Sequence, residues 1–350
     1  MMEIKFKRIF RVSLLSLLFF SLNAFALDST TPTASEIKSK QFVNYMATKY
    51  HFNQSQVNAI LEKAKYNQEV IAKITHPYEK KPWNVYRAHF ITKKRITDGV
   101  AYWNQHEKVL AQIQKRYGIP PHIILAILGV ETDYGTQTGS YSVLDALSTL
   151  AFYYPPRERF FTRELSQLFL LTKEKGFSIF DLKSSYAGAI GIPQFMPSDY
   201  REYAVNYQQH GPANLMKNDS DAMASVANYL KLHGWKPDAP IASPINKMAT
   251  IDSAVISDRA RPRLTINQLK NKGIKTETSY PDQMKAAVVE LKNEKDPEYW
   301  LTFHNFQVIM RYNPRIIYAM TVYQLSKAIK QTHDEQVSGT RTRASSTRKT

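Results

Sequence analysis

The chain has 350 residues, no cysteine and a formal net charge of +17. Without cysteine it has no disulfide framework, no thiolate nucleophile and no lipid-bearing cysteine, so its stability has to come from packing. The positive charge favours negatively charged ligands or surroundings, although a basic face that only keeps the protein soluble would give the same value.

The first 26 residues have the layout of a cleavable secretory signal. Basic residues between Lys5 and Arg11 precede an apolar run from Val12 to Phe20, and the small-residue site Ala24-Phe25-Ala26 follows. The apolar run is shorter than the roughly 20 residues that cross a bilayer, and no second long apolar run follows it. We therefore expect export with cleavage after Ala26; an uncleaved N-terminal anchor is the alternative.

The N-terminal half is predicted to be mainly helical. Residues 27–35 form a short polar leader that we expect to be flexible. From Glu36 to Ala151 apolar residues recur at helical spacing. Within this half, Ile96 to Tyr117 predicts one long amphipathic helix that ends at Gly118, and Pro120-Pro121 open the next helix.

The second half alternates between helices and irregular segments. We predict helices over Arg159–Lys175 with Gly176 as C-cap, over Asp219–Gly234 and over Arg315–Gln331, and a Gly- and Pro-rich loop over Tyr186–Pro197. Pro237–Pro244 is typical of a linker, and Met248–Ile256 and Met284–Leu291 have the alternating or β-branched pattern of strands. The basic tail, residues 333–350, is predicted to be disordered.

The charge alone does not identify the partner. Nucleic acid is the usual partner of a basic chain, but the sequence has no zinc-ligand spacing, no basic-region heptads and no ribonucleoprotein aromatic motif. Cell-wall glycan, whose peptide stems and associated polymers carry carboxylates and phosphates, fits both the export signal and the charge. We expect this polymer as the partner, and no nucleic acid.

Glu131 is the first candidate for chemistry. It follows Ile127 by four residues and Ile124 by seven, so on a helix it projects from the apolar face. Desolvation there would raise the pKa of the carboxyl group and keep it protonated near neutral pH, as a general acid requires. A buried Glu satisfied by Arg or backbone donors is the structural alternative.

Two further segments could bind a ligand. In the loop Ser185–Pro197 small residues allow close approach of the backbone, while Ser185 and Gln194 can donate hydrogen bonds to sugar hydroxyls or an acetamido carbonyl. In Arg311–Tyr318, the side chains of Tyr312, Asn313 and Tyr318 supply aromatic faces and polar edges that suit sugar rings. Taken singly, the loop is equally compatible with a tight structural turn, and the residues of Arg311–Tyr318 are of types that more often lie in a core.

The order of these segments resembles the membrane-bound lytic murein transglycosylase B family. The resemblance extends from about Trp83 to Leu325, and the matching motifs are Gly129-Val130-Glu131-Thr132 with Tyr134-Gly135, Ala187-Gly188-Ala189 with Gln194-Phe195-Met196-Pro197-Ser198, Arg311-Tyr312-Asn313 with Tyr318-Ala319-Met320, and also Phe90-Ile91-Thr92, Gly99-Val100-Ala101, Leu144-Asp145-Ala146-Leu147 and Ser225-Val226-Ala227-Asn228-Tyr229. With no cysteine at the signal junction, the chain would be a soluble periplasmic member and not a lipoprotein; association with the surface of the outer or inner membrane stays open.

The resemblance implies a mainly α (α+β) fold. Its lysozyme-like catalytic core would be joined by a helical N-terminal domain and a small inserted β-containing subdomain at about residues 245–300, all within residues 36–332. It implies Glu131 as the catalytic residue and a glycan groove lined by Ser185, Gln194, Tyr229, Tyr312, Asn313 and Tyr318, with Tyr86 and Arg157 at its edges. The family often has paired Arg where this chain has Pro156-Arg157, so one substrate contact is absent from the pattern.

We expect no metal and no cofactor. Some relatives bind calcium in an EF-hand-like loop, but the corresponding Asn206–Gly211 segment has Gln and His where acidic or Asn ligands would stand. The sequence also lacks a clear second carboxyl group for ordinary glycoside hydrolysis, because Asp133 points to another side of the helix and Asp145 lies in a separate segment.

The family therefore implies that Glu131 acts twice. It would protonate the bond between N-acetylmuramic acid and N-acetylglucosamine, and then accept the proton of the C6 hydroxyl as a 1,6-anhydro ring closes. The alternatives are a muramidase of goose-lysozyme type that uses water, a non-catalytic peptidoglycan-binding protein, and a secreted nucleic-acid binder.

Overall fold

The computed structural model describes residues 33–76, 81–246 and 251–347. The helices in this part are α1 Ala34–Tyr50, α2 Gln54–Leu61, α3 Gln68–Thr75, α4 Trp83–Phe90, α5 Lys93–Gln105, α6 Glu107–Tyr117, α7 Pro121–Thr132, α8 Val143–Tyr153, α9 Glu158–Lys175, α10 Pro197–Tyr203, α11 Asp219–Leu232, α12 Ile266–Asn271, α13 His304–Tyr312 and α14 Ile316–Thr347. The strands are β1 Tyr141–Ser142, β2 Lys183–Ser184, β3 Ala242–Pro244, β4 Leu264–Thr265, β5 Lys285–Leu291 and β6 Glu298–Thr302. The predicted signal peptide and most of the predicted leader lie outside the described residues.

Folded structure begins slightly earlier than predicted. Thr33 is the N-cap of α1: its side chain accepts a hydrogen bond from Glu36 N, and its own N–H donates to the Glu36 carboxylate. This reciprocal capping box satisfies two N–H groups that a helix start leaves without a partner. The predicted boundary of the leader at residue 35 is therefore wrong by two residues.

The single long helix predicted over Ile96–Tyr117 is wrong, because the chain breaks into α5 and α6 at His106. The backbone of His106 leaves the helical region, with φ −113° and ψ 20°. Its Nε2 atom lies 3.3 Å from the Asp219 carboxylate at the start of α11. The predicted end at Gly118 is confirmed: this glycine has φ +74° and caps α6.

Helix α7 is the centre of the main core. Ile123, Ile124, Leu125, Ala126, Ile127 and Leu128 are all 0% exposed. Helices α5, α6, α11 and α14 pack around it, while α8 and α9 pack together beside it. Because α7 is packed against several helices, the residues at its end are held in a fixed position.

A small antiparallel sheet has its own core. Its strand order is β3-β6-β5-β4, and residues such as Val288, Leu301 and Phe303 are buried beneath it. The predicted strand over Met284–Leu291 is confirmed by β5. The predicted linker Pro237–Pro244 is wrong in its last part, because β3 pairs with β6 at the sheet edge, where a proline such as Pro244 is tolerated.

Two other sequence-based boundaries need correction. The described part of Met248–Ile256 contains a 3₁₀ turn at Ser253–Val255 and a single bridge from Ile256 to Val288 instead of a strand; Met248 itself lies outside the described residues. Helix α14 continues to Thr347, past the predicted end at Gln331, so the predicted tail at 333–350 is helical as far as it is described. Side-chain pairs one turn apart, such as Lys330 with Asp334 and Gln331 with Glu335, stabilise this part of the helix.

No helix in the described part of the chain is both long and apolar enough to span a membrane.

Candidate active site

Glu131 lies at the end of the buried helix α7. It is the penultimate residue of that helix and half-buried. The prediction that Glu131 projects among apolar residues agrees with this setting, but α7 is apolar on nearly all sides and has no separate wet face. The C-terminal end of a helix carries partial negative charge, which favours the protonated form of a carboxyl group.

The chain turns sharply after α7 and is tied to the 185–197 loop. Asp133, Tyr134 and Gly135 all have positive φ, of +50°, +58° and +88°. The Thr132 hydroxyl, which is 1% exposed, donates to Ile192 O at 2.8 Å and accepts from Gly135 N at 3.0 Å. One buried hydroxyl group thus connects the end of α7 to the loop beside Glu131.

The 185–197 loop is held by its own backbone. Ile190 and Phe195 exchange N–H···O hydrogen bonds of 2.8 and 3.1 Å, and Ser185 N donates to Ala189 O at 2.9 Å. Gly188 has φ +83°, and a Cβ atom at this position would lie 2.4 Å from Leu147 Cδ2. The predicted loop is therefore confirmed, and its small residues are required for packing against α8.

Ser185 and Gln194 present different groups to a ligand. The Gln194 side-chain N–H₂ group donates to Thr138 O at 3.1 Å and to Gly191 O at 2.8 Å, which leaves its Oε1 atom to accept. The predicted donor role of Gln194 is thus wrong, because both donors are used by backbone carbonyl groups, Gly191 O inside the loop and Thr138 O outside it. The Ser185 Oγ atom accepts from Ala189 N at 3.2 Å, so its hydroxyl proton can still be donated.

Two tyrosines from the last two helices lie near the Glu131 carboxylate: Tyr318, which is buried, and Tyr312, which is half-buried. The Tyr318 hydroxyl donates to Glu131 Oε1 at 2.5 Å, and the Tyr312 hydroxyl donates to Pro193 O at 2.6 Å. Burial, and then the charge of Glu131, raise the pKa of both phenols well above the ordinary value. Both therefore stay neutral donors at physiological pH.

An aromatic wall continues away from Tyr312. The ring of Tyr229 lies 4.9 Å from that of Tyr312, and its hydroxyl donates to Arg311 O at 2.6 Å. The rings of Tyr203 and His233 follow at 4.8 and 4.1 Å from Tyr229. These rings form one packed aromatic row beside the site, in which Tyr229 is buried and Tyr312, Tyr203 and His233 are partly exposed.

The remaining predicted site residues lie at different distances from this centre. Asn313 is half-buried in the turn between α13 and α14, directly after Tyr312. Tyr86 is 2% exposed, so it offers no exposed edge to a ligand, contrary to the prediction; after burial and Glu131, it is a minor cause of the raised pKa of Tyr318. Arg157 is exposed and its guanidinium lies 4.2 Å from the Phe160 ring centroid; the contacts described for Arg157 do not connect it to Glu131.

A second carboxyl group near the wall, Asp199, was missed by the sequence analysis. It is the third residue of α10. Burial raises its pKa to about 6, assisted by the charges of Glu164 and Glu202. Its own charge raises the pKa of Tyr229 and Tyr312. The one sequence feature that could have pointed to Asp199 is its position directly after the motif Met196-Pro197-Ser198.

The two carboxyl groups considered in the sequence have structural partners. Asp133 lies 3.3 Å from Arg95 Nε, and Asp145 accepts a hydrogen bond from Lys65 N at 2.8 Å. Both brace the fold instead of facing Glu131.

The Asn206–Gly211 segment is closed by hydrogen bonds. Asp221, which is 1% exposed, accepts from Tyr207 N and Asn214 N, both at 2.8 Å. The Asn206 side chain bonds to His210 N and Pro212 O. Within residues 33–76, 81–246 and 251–347, no group of three or more His, Cys, Asp or Glu side chains could hold a metal ion.

In sequence, the chain is similar to known enzymes that act on the bacterial cell wall. The family described as the Transglycosylase SLT domain matches residues 35–327. The chain is 35% identical over 306 residues to membrane-bound lytic murein transglycosylase B of Escherichia coli K12, which covers 85% of this chain and 83% of that protein.

Solved structures of similar fold are also lytic transglycosylases. Soluble lytic transglycosylase SltB1 from Pseudomonas aeruginosa is 39% identical with a TM-score of 0.79, covering 85% of this chain and 99% of that chain. Escherichia coli lytic transglycosylase Slt35 in complex with calcium is 35% identical with a TM-score of 0.77, covering 85% and 93%.

Proposed function

Since the chain belongs to the Transglycosylase SLT domain family and is a lytic murein transglycosylase acting on peptidoglycan, we propose that Glu131 alone serves as its acid and base. The family, the enzyme class and the mainly α, lysozyme-like fold predicted from the sequence are confirmed. The roles of individual residues are the subject of the proposal. The observation that carries it is the 2.5 Å hydrogen bond from the Tyr318 hydroxyl to Glu131 Oε1, at the end of the mostly buried helix α7.

In the first step, protonated Glu131 gives its proton to the glycosidic oxygen between N-acetylmuramic acid and N-acetylglucosamine. The bond from that oxygen to C1 of the muramic acid breaks, and the acetamido group of the substrate stabilises the developing cation. Glu131 becomes a carboxylate, and the Tyr318 hydroxyl is already placed to donate to it. A hydrogen bond to an ionised group is stronger than one to a neutral group, so this contact favours the proton transfer.

In the second step, the Glu131 carboxylate accepts the proton of the muramic acid C6 hydroxyl, whose oxygen bonds to C1. The product is a 1,6-anhydromuramoyl end, and Glu131 returns to its protonated form. A single residue serves both steps because the first step leaves it in the form that the second requires.

The groove residues have complementary roles in this proposal. The Ser185 hydroxyl donates to the substrate, and Gln194 Oε1 accepts from a sugar hydroxyl or an acetamido N–H. Tyr229 and Tyr312 hold ring faces, and Asn313 supplies a polar edge beside Tyr312. Tyr86 supports Tyr318 from behind, and Arg157 contacts only strands long enough to reach the start of α9.

Asp199 favours one alternative, hydrolysis by a muramidase of goose-lysozyme type. Glycosidases that use water generally need a second carboxyl group opposite the acid. The charge of Asp199 acts on Tyr229 and Tyr312, but none of the interactions described for Asp199 joins it to Glu131. We therefore assign Asp199 no part in the reaction.

Export and metal independence are also proposals. The signal layout of residues 1–26 and the lack of cysteine favour a soluble periplasmic enzyme. Calcium is disfavoured in the 206–211 loop by Gln208 and His210 and by the two N–H groups that already occupy the oxygens of Asp221.

Mass spectrometry of the muropeptides released from purified peptidoglycan tests the proposal. The mature protein is expected to release anhydromuramoyl products and Glu131→Gln none, while Glu107→Gln, at an exposed position in the first turn of α6, keeps full activity. Turnover by Glu131→Gln would refute the assignment of Glu131. Reducing-end products from the wild type would establish hydrolysis instead.

A further inference from the structure

Two tyrosines far apart in the sequence form an exposed pair outside the site around Glu131. The rings of Tyr66 and Tyr153 lie 4.7 Å apart at an interplanar angle of 57°, and the residues are 50% and 47% exposed. Aromatic side chains usually bury most of their area, so ring faces kept in water this way are unusual for packing alone.

The pair stands at the mouth of a cavity of about 190 Å³ between α1, the end of α2 and α8. Its lining combines apolar side chains with hydroxyl groups and one carboxylate, from Ser35, Glu36, Ser39, Leu61, Ala64, Tyr66, Ser148, Thr149, Phe152 and Tyr153. None of these residues belongs to α7, the 185–197 loop, α13 or α14, which build the site around Glu131.

The polar groups of the cavity have unused hydrogen-bonding capacity. Thr149 Oγ1 accepts from Asn67 N at 3.0 Å, so its own proton remains to be donated. The Ser148 hydroxyl donates to Asp145 O at 3.3 Å and can still accept. Donors and acceptors beneath an aromatic rim match a sugar, which has apolar C–H faces and a rim of hydroxyl groups.

The neighbouring surface leads toward a predicted contact of the glycan. Lys38 donates to Phe152 O at 3.3 Å and pairs with Glu158 at 2.8 Å. Directly beyond Tyr153, a second depression of about 460 Å³ is lined by Pro155–Phe160 and includes Arg157. The depression thus begins two residues after Tyr153, the last residue in the chain that lines the cavity.

We propose that the cavity beneath Tyr66 and Tyr153 holds one N-acetylhexosamine ring of a glycan strand, as a second, non-catalytic binding site. The inference rests on the glycan being the substrate and adds a holding point on it. A second contact with the same polymer makes binding at the groove effectively intramolecular and raises its effective concentration. The site should therefore matter on intact sacculi and not on short soluble fragments.

The test uses the full mature chain with Glu131→Gln, so that binding to sacculi is measured without cleavage. Tyr66→Ala with Tyr153→Ala is expected to weaken co-sedimentation with purified sacculi by about tenfold. Ser39→Leu, which fills the cavity and leaves both tyrosines, is expected to weaken it similarly. The matched control is Tyr45→Ala, a 36% exposed tyrosine of α1 whose ring packs on Tyr50 outside the cavity.

The same variants with Glu131 intact are then assayed for cleavage. Slower solubilisation of sacculi with unchanged turnover of a short glycan oligosaccharide supports the second site. Unchanged binding of both variants to sacculi, or an equal loss in Tyr45→Ala, overturns it. Cleavage by Glu131→Gln would overturn the assignment of Glu131 and leave the sacculus-binding result to stand by itself.

Discussion

Replacing Tyr318 with Phe removes one hydroxyl group and keeps the ring. That hydroxyl donates to Glu131 Oε1 at 2.5 Å, and the residue is 2% exposed, so water cannot readily replace it. Hydrogen bonds to charged groups contribute about 1.5–3 kcal/mol. If this contact forms fully only when Glu131 ionises, the loss corresponds to a decrease in kcat of about 10- to 150-fold, with little change in KM.

The pH profile gives an independent check. The Tyr318 hydrogen bond favours the carboxylate over the acid, so its removal favours the acid. Since the first step needs protonated Glu131, the basic limb of the kcat/KM profile is expected to move to higher pH in Tyr318→Phe. The assay is release of anhydromuramoyl products from a soluble oligosaccharide across the pH range.

Tyr312→Phe is the matched control, because its hydroxyl donates to Pro193 O and not to Glu131. It is expected to lower activity without moving the basic limb. Unchanged kcat in Tyr318→Phe, or the same shift of the limb in both variants, would refute the reasoning.

Two further predictions concern stability. The unfolded chain loses the Asp199 proton near pH 3.8 and the folded chain near about 6, so stability falls as pH rises between these values. Asp199→Asn should be more stable than wild type at pH 7 by up to about 3 kcal/mol and show no gain at pH 4 in urea titrations; equal stability at both pH values would contradict this. Gly188→Ala should lower the free energy of unfolding by about 1–3 kcal/mol and reduce activity, because the added Cβ atom would clash with the side chain of Leu147. Gly211→Ala, with φ +75° and no atom within 4 Å, controls for backbone strain alone.

Helix boundaries were predicted best where residues close in the sequence determine them. The helix over Arg159–Lys175 is confirmed nearly to the residue, because its apolar stripe ends at Gly176, which adopts φ +70°. The break at His106 was not predictable in this way. Apolar spacing continues across it, and the interruption coincides with a contact to Asp219, over a hundred residues later.

The candidate site also combines features that local sequence signals predict with features that depend on distant contacts. Ser185, Gln194, Tyr229, Tyr312 and Tyr318 became candidates through motifs, but the group that each presents depends on contacts from other segments. The donors of Gln194 are taken by Thr138 and Gly191. Asp199 was missed because its raised pKa arises from burial in the folded chain, and then from the charge of Glu164, which α9 brings beside α10.

Helix α14 has a consequence for how the enzyme can be tethered. It carries Tyr318 in its first turn and continues to Thr347. At about 1.5 Å per residue, the end of the helix lies roughly 45 Å from Tyr318 along its axis. The stacking of His333 on Trp103, with ring centroids 4.1 Å apart, fixes the direction of this extension. A fluorescent protein, bead or surface linker fused after Thr347 would thus be held roughly 45 Å along the helix axis from Tyr318, which makes this end suitable for immobilised or single-molecule assays of the enzyme.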